Sequence, residues 1–429
     1  MAVFVAYLFI LSSVNFVGFL DPEEFIHIPG AFKFTDLLFL LLCFIYCIDI
    51  VKNHDEFIPR IKASYPINAL VYLFICMVIL QIVVTAIRFD VSFISTIKVS
   101  RGYFYLLFYF YLLRFFNKQQ VFIGLAKLII VMCIAQFVFL VLQIMGADIG
   151  SNTKIIDLAV NESSVTRVYI DAYFYVLGLF SVSLLLLLGL DKKINKNNLI
   201  FIVSITSLTI LLSYTRTYWI AMVLIIMMSL FFTTHKIKRT LYKSLSAISI
   251  VIFPFFLFVG TSIVERIASI FEDIGSDDGN FIYRFSENPQ RLQAFLDYPL
   301  LGPGFVHYDY AANIFNFFLQ RRGLTETQIK RVLHLQTNDS GLITWLVSFG
   351  SIGVIWVFAL CWVLYRIQAK RFQLVDSNQK ASLLQGNVFF IFAIWLTCTT
   401  TYGFSFPDGV VALSVSLYFI AFTLTNKRN

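Results

Sequence analysis

The sequence predicts an all-α, polytopic integral membrane protein of about twelve spans, and three observations predict it. Hydrophobic residues make up 59% of the 429-residue chain, charged residues only 14%, and the mean hydropathy is +0.80. A soluble domain could not hide that much apolar surface. The apolar residues are gathered into runs of the order of length that crosses a bilayer, roughly 17–25 residues. Finally, lysine and arginine are distributed unevenly between alternate connections, as membrane insertion requires. Helices are the form such runs must take, because hydrocarbon offers no partner to exposed backbone groups.

Taken in order, the apolar runs fall at 2–20, 36–51, 67–87, 102–116, 121–145, 172–190, 199–213, 218–233, 246–264, 341–367, 384–402 and 408–425. The first lacks a basic leader and a small-residue cleavage site, so it reads as a retained span. With twelve spans both termini share a side. One set of connections and termini carries Lys52, Arg60, Lys62, Arg114, Lys118, Lys192, Lys193, Lys196, Lys236, Lys238, Arg239, Lys243, Arg366, Lys370, Arg371, Lys380, Lys427 and Arg428. The short loops of the other set carry Lys33, Arg88, Lys98, Arg101, Lys154, Arg167 and Arg216. Eighteen against seven makes the first set cytoplasmic, and both termini with it. The net charge of +8 is thereby an orientation signal and implies no nucleic-acid partner. The six cysteines (Cys43, Cys47, Cys76, Cys133, Cys361 and Cys398) lie inside apolar runs, where they read as small buried hydrophobes rather than a disulfide or metal framework.

Three external segments stand out: a loop at 146–171, the short turn 213–217, and a loop at 265–340. The chain reads as a single transmembrane domain, with 265–340 its one large external loop, and loops of that length are commonly functional. Within it, Asn288-Pro289 marks a helix start and Pro299 its end, with Leu292, Phe295 and Leu296 on one face. Thr325 and Gln328 have capping-box spacing before a stripe of Ile329, Val332 and Leu333. Two short amphipathic helices are expected to roof a cavity between the spans.

Several groups on this side could carry chemistry. Arg88, Arg101, Arg216, Arg284 and Arg291 have the planar, permanently charged fork suited to a diphosphate. For Arg88 and Arg101 the plainer reading is snorkelling to the headgroups. Arg216 sits in a very short turn on the side that disfavours cations, which is harder to explain without a role. Pro299-Leu300-Leu301-Gly302-Pro303-Gly304 fixes a tight turn, and Gly302 and Gly304 would let backbone approach a ligand. His334 or Asp339, near the start of the tenth span, could take a proton from a hydroxyl. Asp339 also reads as the helix N-cap, and His334 as a surface imidazole. Asp21, Glu23 and Glu24, and likewise Asp277 and Asp278, could hold a cation, but read better as a helix start and a solvated turn.

The ordered combination of Leu212-Ser213-Tyr214-Thr215-Arg216, Arg284 fifteen residues before Pro-Leu-Leu-Gly-x-Gly, and a polar span start leading to Gly350-x-x-Gly353 resembles the O-antigen polymerase and ligase superfamily. That resemblance covers about 199–366 in motif and the whole chain in topology. It implies a metal-independent inner-membrane glycosyltransferase with a GT-C-like helical fold and no cofactor. Its implied donor and acceptor are undecaprenyl-pyrophosphate-linked oligosaccharides held in membrane lipid, with a polysaccharide chain-length regulator as an expected partner. Arg216 and Arg284 would bind the pyrophosphate, with Arg291 a further candidate, and His334 or Asp339 would be the base. Where the ligase branch carries a His-Asn pair, this chain has Asp339-Ser340. The departure favours a Wzy-type repeat-unit polymerase, working by inverting transfer, over a ligase that hands glycan to lipid A core. Two other readings stay open. A metal-dependent GT-C transferase would need Asp21, Glu23 and Glu24. A flippase or other transporter would place ionisable residues near the midplane, whereas the one basic residue well inside a span, Lys127, lies near its cytoplasmic end.

Overall fold

The computed structural model describes residues 1–14, 33–52, 65–145, 156–158, 165–167, 172–189, 195–213, 215–232, 291–307, 310–311, 340–375, 377–399 and 403–425. Along the chain these form α1 (Ala2–Ser13), α2 (Phe34–Lys52), α3 (Tyr65–Phe89), α4 (Phe93–Ser100), a 3-10 turn (Arg101–Leu107), α5 (Phe108–Phe115) and α6 (Gln119–Ile144). There follow α7 (Tyr173–Leu188), α8 (Lys196–Leu212), α9 (Arg216–Phe231), α10 (291–297), α11 (Gly341–Ala369), α12 (Arg371–Leu374), α13 (Asn378–Leu396) and α14 (Pro407–Thr425).

Among the described residues five helices are long and apolar enough to cross a membrane: α2, α3, α6, α11 and α14 up to Leu424. With the shorter apolar helices they make a polytopic, essentially all-α membrane protein. One small departure lies in the 146–171 loop, where β1 (Ile156–Leu158) pairs antiparallel with β2 (Val165–Arg167) in the register Ile156 to Arg167. The expected run 102–116 is also not one helix. It opens as a 3-10 turn and becomes α-helical only at Phe108, and the preceding connection forms α4. The expected span 246–264 lies outside the described residues.

The centre of the bundle is α14: 83% of its apolar window is buried, against 17% for α2 at the periphery. It packs on α13, α5 and the 3-10 turn, while α7 packs on α8 and α13. Hydrocarbon gives helices no hydrophobic reason to associate, so close backbone approach and polar contacts hold them together. Gly386 illustrates the first: a Cβ there would sit 2.6 Å from the Val182 Cα. The Ser181 hydroxyl donates to the Gly386 carbonyl at 2.7 Å. The Tyr418 hydroxyl donates to Phe116 O at 2.6 Å, and Trp356 Nε1 to Leu70 O at 2.8 Å. On α11, Ile355, Phe358 and Trp362 are 59–70% exposed along one stripe, the face an apolar span turns to lipid.

Candidate active site

The segment 299–305 does not fold as a plain turn. It enters a break in α11 and exchanges backbone hydrogen bonds with it. The break is at Gly350, whose φ of 61° and ψ of −154° interrupt the helix. Gly304 N donates to Val347 O at 2.9 Å. Ser351 N and Oγ both donate to Pro299 O, at 2.9 and 2.8 Å, and Ile352 N reaches Leu300 O at 3.3 Å. Non-helical backbone at membrane depth is tolerated only where protein or water satisfies it. Here each partner supplies the groups that the other leaves open.

The opposite side of the segment is held by α3. Gln81, Thr85 and Arg88 are spaced four and three apart, so they share one face. Gln81 Nε2 donates to Leu301 O at 2.8 Å. Thr85 Oγ1 donates to Gln81 O at 2.7 Å and accepts from Phe305 N at 3.2 Å. Arg88 donates to Gly302 O at 3.0 Å, with its guanidinium carbon 4.8 Å from the centre of the Tyr298 ring. Gly302 (φ 70°) and Gly304 (φ 92°) are required by this fit. A Cβ on Gly302 would lie 2.6 Å from Leu346 O, and one on Gly304 would strike the Thr85 hydroxyl. Beneath them Phe305, fully buried, enters an aromatic layer with Tyr103 and Phe349 at ring separations of 5.5 and 5.3 Å.

Helix α10 delivers the chain into this segment and ends ahead of Pro299, as proline dictates. Its apolar stripe faces outward rather than into the protein: Leu292 and Leu296 are 42% and 56% exposed, whereas Arg291 and Ala294 are buried. Apolar periodicity marks a shared face and does not say which way it points. Arg291 thus stands inside the protein, two turns before Pro299. Of the arginines read from sequence, the structure brings Arg88 directly onto Gly302 and keeps Arg101 apart. Arg101 pairs with Asp36 at 3.0 Å, and Asp36 also accepts from Tyr105 OH at 2.5 Å and Lys33 N at 2.8 Å.

Arg216 is the first residue of α9, after Thr215 as N-cap. The turn before it is closed by Thr215 N donating to Ser213 Oγ at 3.3 Å. Trp219 Nε1 donates to Ile210 O and Leu211 O at 3.1 and 3.3 Å, taking up carbonyls that the end of α8 leaves open. The Arg216 side chain, Arg284, His334 and Asp339 lie outside the described residues, as do Asp21, Glu23, Glu24, Asp277 and Asp278. The cap of α11 is Ser340, whose hydroxyl accepts from Ile343 N at 3.4 Å, so that role does not fall to Asp339. Among the described residues no group of three or more His, Cys, Asp or Glu gathers as a metal site.

Sequence reasoning missed Gln81 and Thr85. The available signal was three polar residues at helical spacing inside a strongly apolar run, where each is costly unless used.

The bundle, with 299–305 inserted into the break of α11, defines a class, a multi-pass membrane protein. Residues 201–358 match the family model Wzy_C, described as O-antigen ligase. The match places that stretch in the O-antigen polymerase and ligase superfamily, whose members are glycosyltransferase-type enzymes, and supports a role in the assembly of O-antigen or a related surface polysaccharide. It takes in Arg216, Arg284, Arg291, the 299–305 segment and Gly350, and leaves out the whole of α3. A comparison with curated proteins finds no match to the chain.

Proposed function

We propose that the protein polymerises undecaprenyl-pyrophosphate-linked repeat units on the outer face of the cytoplasmic membrane, with both termini cytoplasmic and the 265–340 loop closing over the sugars. The observation that carries this reading is the insertion of 299–305 into the break of α11 within the family-matched stretch. It commits Gly302, Gly304 and Gly350, all in the motifs of the resemblance, to building one rigid site. A hydroxyl at the non-reducing end of the acceptor repeat attacks the anomeric carbon of the donor glycan. The bond from that carbon to the diphosphate oxygen breaks, and lipid pyrophosphate leaves with the bonding pair. Arg216 and Arg284, with Arg291 in support, stabilise the charge growing on the leaving group. His334 or Asp339 takes the hydroxyl proton. Arg88 and Arg101 stand one step further back, the first fastening the segment and the second paired to Asp36.

The match to a family described as O-antigen ligase favours a second reading, ligation of finished glycan to lipid A core. A gel of surface glycolipid from cells with and without the gene separates the two. Loss of the ladder with core carrying a single repeat means polymerase, and bare core with accumulated lipid-linked polymer means ligase. Arg216→Ala is expected to abolish polymer at unchanged protein level; a normal ladder from that variant would sink the assignment.

A further inference from the structure

Arg216 opens α9, so its place in the protein is set by whatever holds the first turn of that helix. Tyr218 belongs to this turn: it is buried, and its N–H donates to Thr215 O at 3.0 Å. Its ring lies flat on the ring of Tyr173, the first residue of α7, with centroids 3.4 Å apart and planes 11° from parallel. The other aromatic pairs among the described residues stand 4.3 Å or more apart. Left to themselves, aromatic rings choose an offset or edge-to-face arrangement at about 4.5–7 Å. Two rings face to face at contact distance cannot close further, so the pair fixes the spacing between the starts of α7 and α9. Tyr173 is fully buried, and its hydroxyl meets no hydrogen-bond partner among the described residues. What it contributes is its ring.

A layer of rings backs the pair and keeps it from opening. Phe174, beside Tyr173, lies 6.0 Å from Phe404, which lies 5.4 Å from Trp395. Trp395 meets Trp345 at 5.1 Å, and Trp345 meets Phe349 at 4.9 Å. Phe349 in turn holds Phe305 of the inserted segment. The layer thus runs from the turn that carries Arg216 to the segment seated in the break of α11. Tyr173, Phe174, Trp395 and Phe404 all lie outside the family-matched stretch 201–358. We propose that Tyr173 is a positioning residue for the transfer reaction. It touches no reacting atom, and acts through Tyr218 to hold Arg216 at a fixed place relative to the 299–305 segment. This role rests on the proposed action of Arg216 at the diphosphate. Ordinary packing would make a different prediction: yield and stability would fall together, and output per folded molecule would stay the same.

Full-length protein carrying Tyr173→Leu or Tyr173→Phe is produced in cells lacking the parental gene, and the glycolipid ladder is divided by the amount of protein in the membrane. The same proteins, purified in mild detergent, are followed by hydrogen exchange at the Tyr218 and Trp219 amides, both bonded to Thr215 O. Tyr173→Leu is expected to quicken exchange there by roughly two- to ten-fold, the worth of one aromatic pair, and to lower the ladder per molecule by at least that factor. Tyr173→Phe keeps the ring and should match the parent in both. Should the leucine variant fail to elute as a monodisperse species, Tyr173→Met, which fills the space without a plane, takes its place under the same expectations. A parental ladder per molecule from Tyr173→Leu, in cells where Arg216→Ala makes none, overturns the positioning role and leaves the proposed function standing. Unchanged exchange, or a ladder lost equally in Tyr173→Phe, also overturns it. A ladder that Arg216→Ala leaves intact overturns the proposed function and, with it, the role of Tyr173.

Discussion

Replacing Gly350 by alanine tests the broken span directly, because the two accounts of α11 predict opposite signs. In an unbroken helix, Gly→Ala raises stability by about 1 kcal/mol. Here φ of 61° with ψ of −154° lies in a region open essentially to glycine alone, worth about 1–3 kcal/mol of strain to another residue. A Cβ would also lie 2.6 Å from Leu300 C and collide with Gly302 N. Relief means withdrawing the segment from the break and giving up the bonds Gly304 N to Val347 O, Ser351 N to Pro299 O and Ile352 N to Leu300 O. With the bonds at about 1 kcal/mol each, strain and lost bonds together come to at most roughly 4–6 kcal/mol of destabilisation. Thermal unfolding in detergent, followed by tryptophan fluorescence, reads it, since Trp345 and Trp356 flank the break and stack at 5.6 Å. A lower midpoint with a weakened glycolipid ladder is the expected result. An alanine variant as stable as the parent, or more so, would mean that the helix is continuous and the inserted segment is misplaced.

Other substitutions probe the same frame. Gln81→Leu leaves Leu301 O without its donor and is expected to cost about 1–3 kcal/mol, seen as a lower unfolding midpoint and a thinner ladder. Asp36→Asn removes the charge facing Arg101, which is itself about a quarter exposed. The loss should fall toward the lower end of the ~3–5 kcal/mol for breaking a buried pair, and an unchanged midpoint would show that Arg101 does not depend on Asp36. Trp219→Phe should cost about 1 kcal/mol by withdrawing the indole N–H from Ile210 O and Leu211 O. If it lowers ladder yield more than protein level, the turn ahead of Arg216 is being held for a purpose beyond stability.

The membrane class, the positions of most apolar helices and the end of α10 ahead of Pro299 were legible because composition and proline act locally. The break in α11 was not. Gly350 and Gly353 stand in a run that reads as one span, and what unwinds it is a segment about fifty residues earlier in the chain. That Leu292, Phe295 and Leu296 share a face was legible from their spacing; that Leu292 and Leu296 are exposed while Arg291 is buried was not, because spacing gives a stripe and no direction. Asp339 and Ser340 are both good caps, and only geometry separates them. Arg88 is a similar case: sequence offers headgroup or ligand, while the structure adds a third partner, the carbonyl of Gly302.

The reach of α3 to the inserted segment has a consequence for how the protein is made. Gln81 and Thr85 meet Leu301 and Phe305 across 220 residues of chain. At about 5–20 residues per second, a ribosome needs roughly 10–40 s to supply that partner. Throughout that interval α3 is already threaded into the bilayer with a glutamine side chain, and an arginine near its end, that have not yet met their carbonyls. Assembly is therefore gated by the last third of the polypeptide. A chain truncated before residue 299 would carry an α3 whose Gln81, Thr85 and Arg88 never meet Leu301, Phe305 and Gly302, whatever the condition of its other helices.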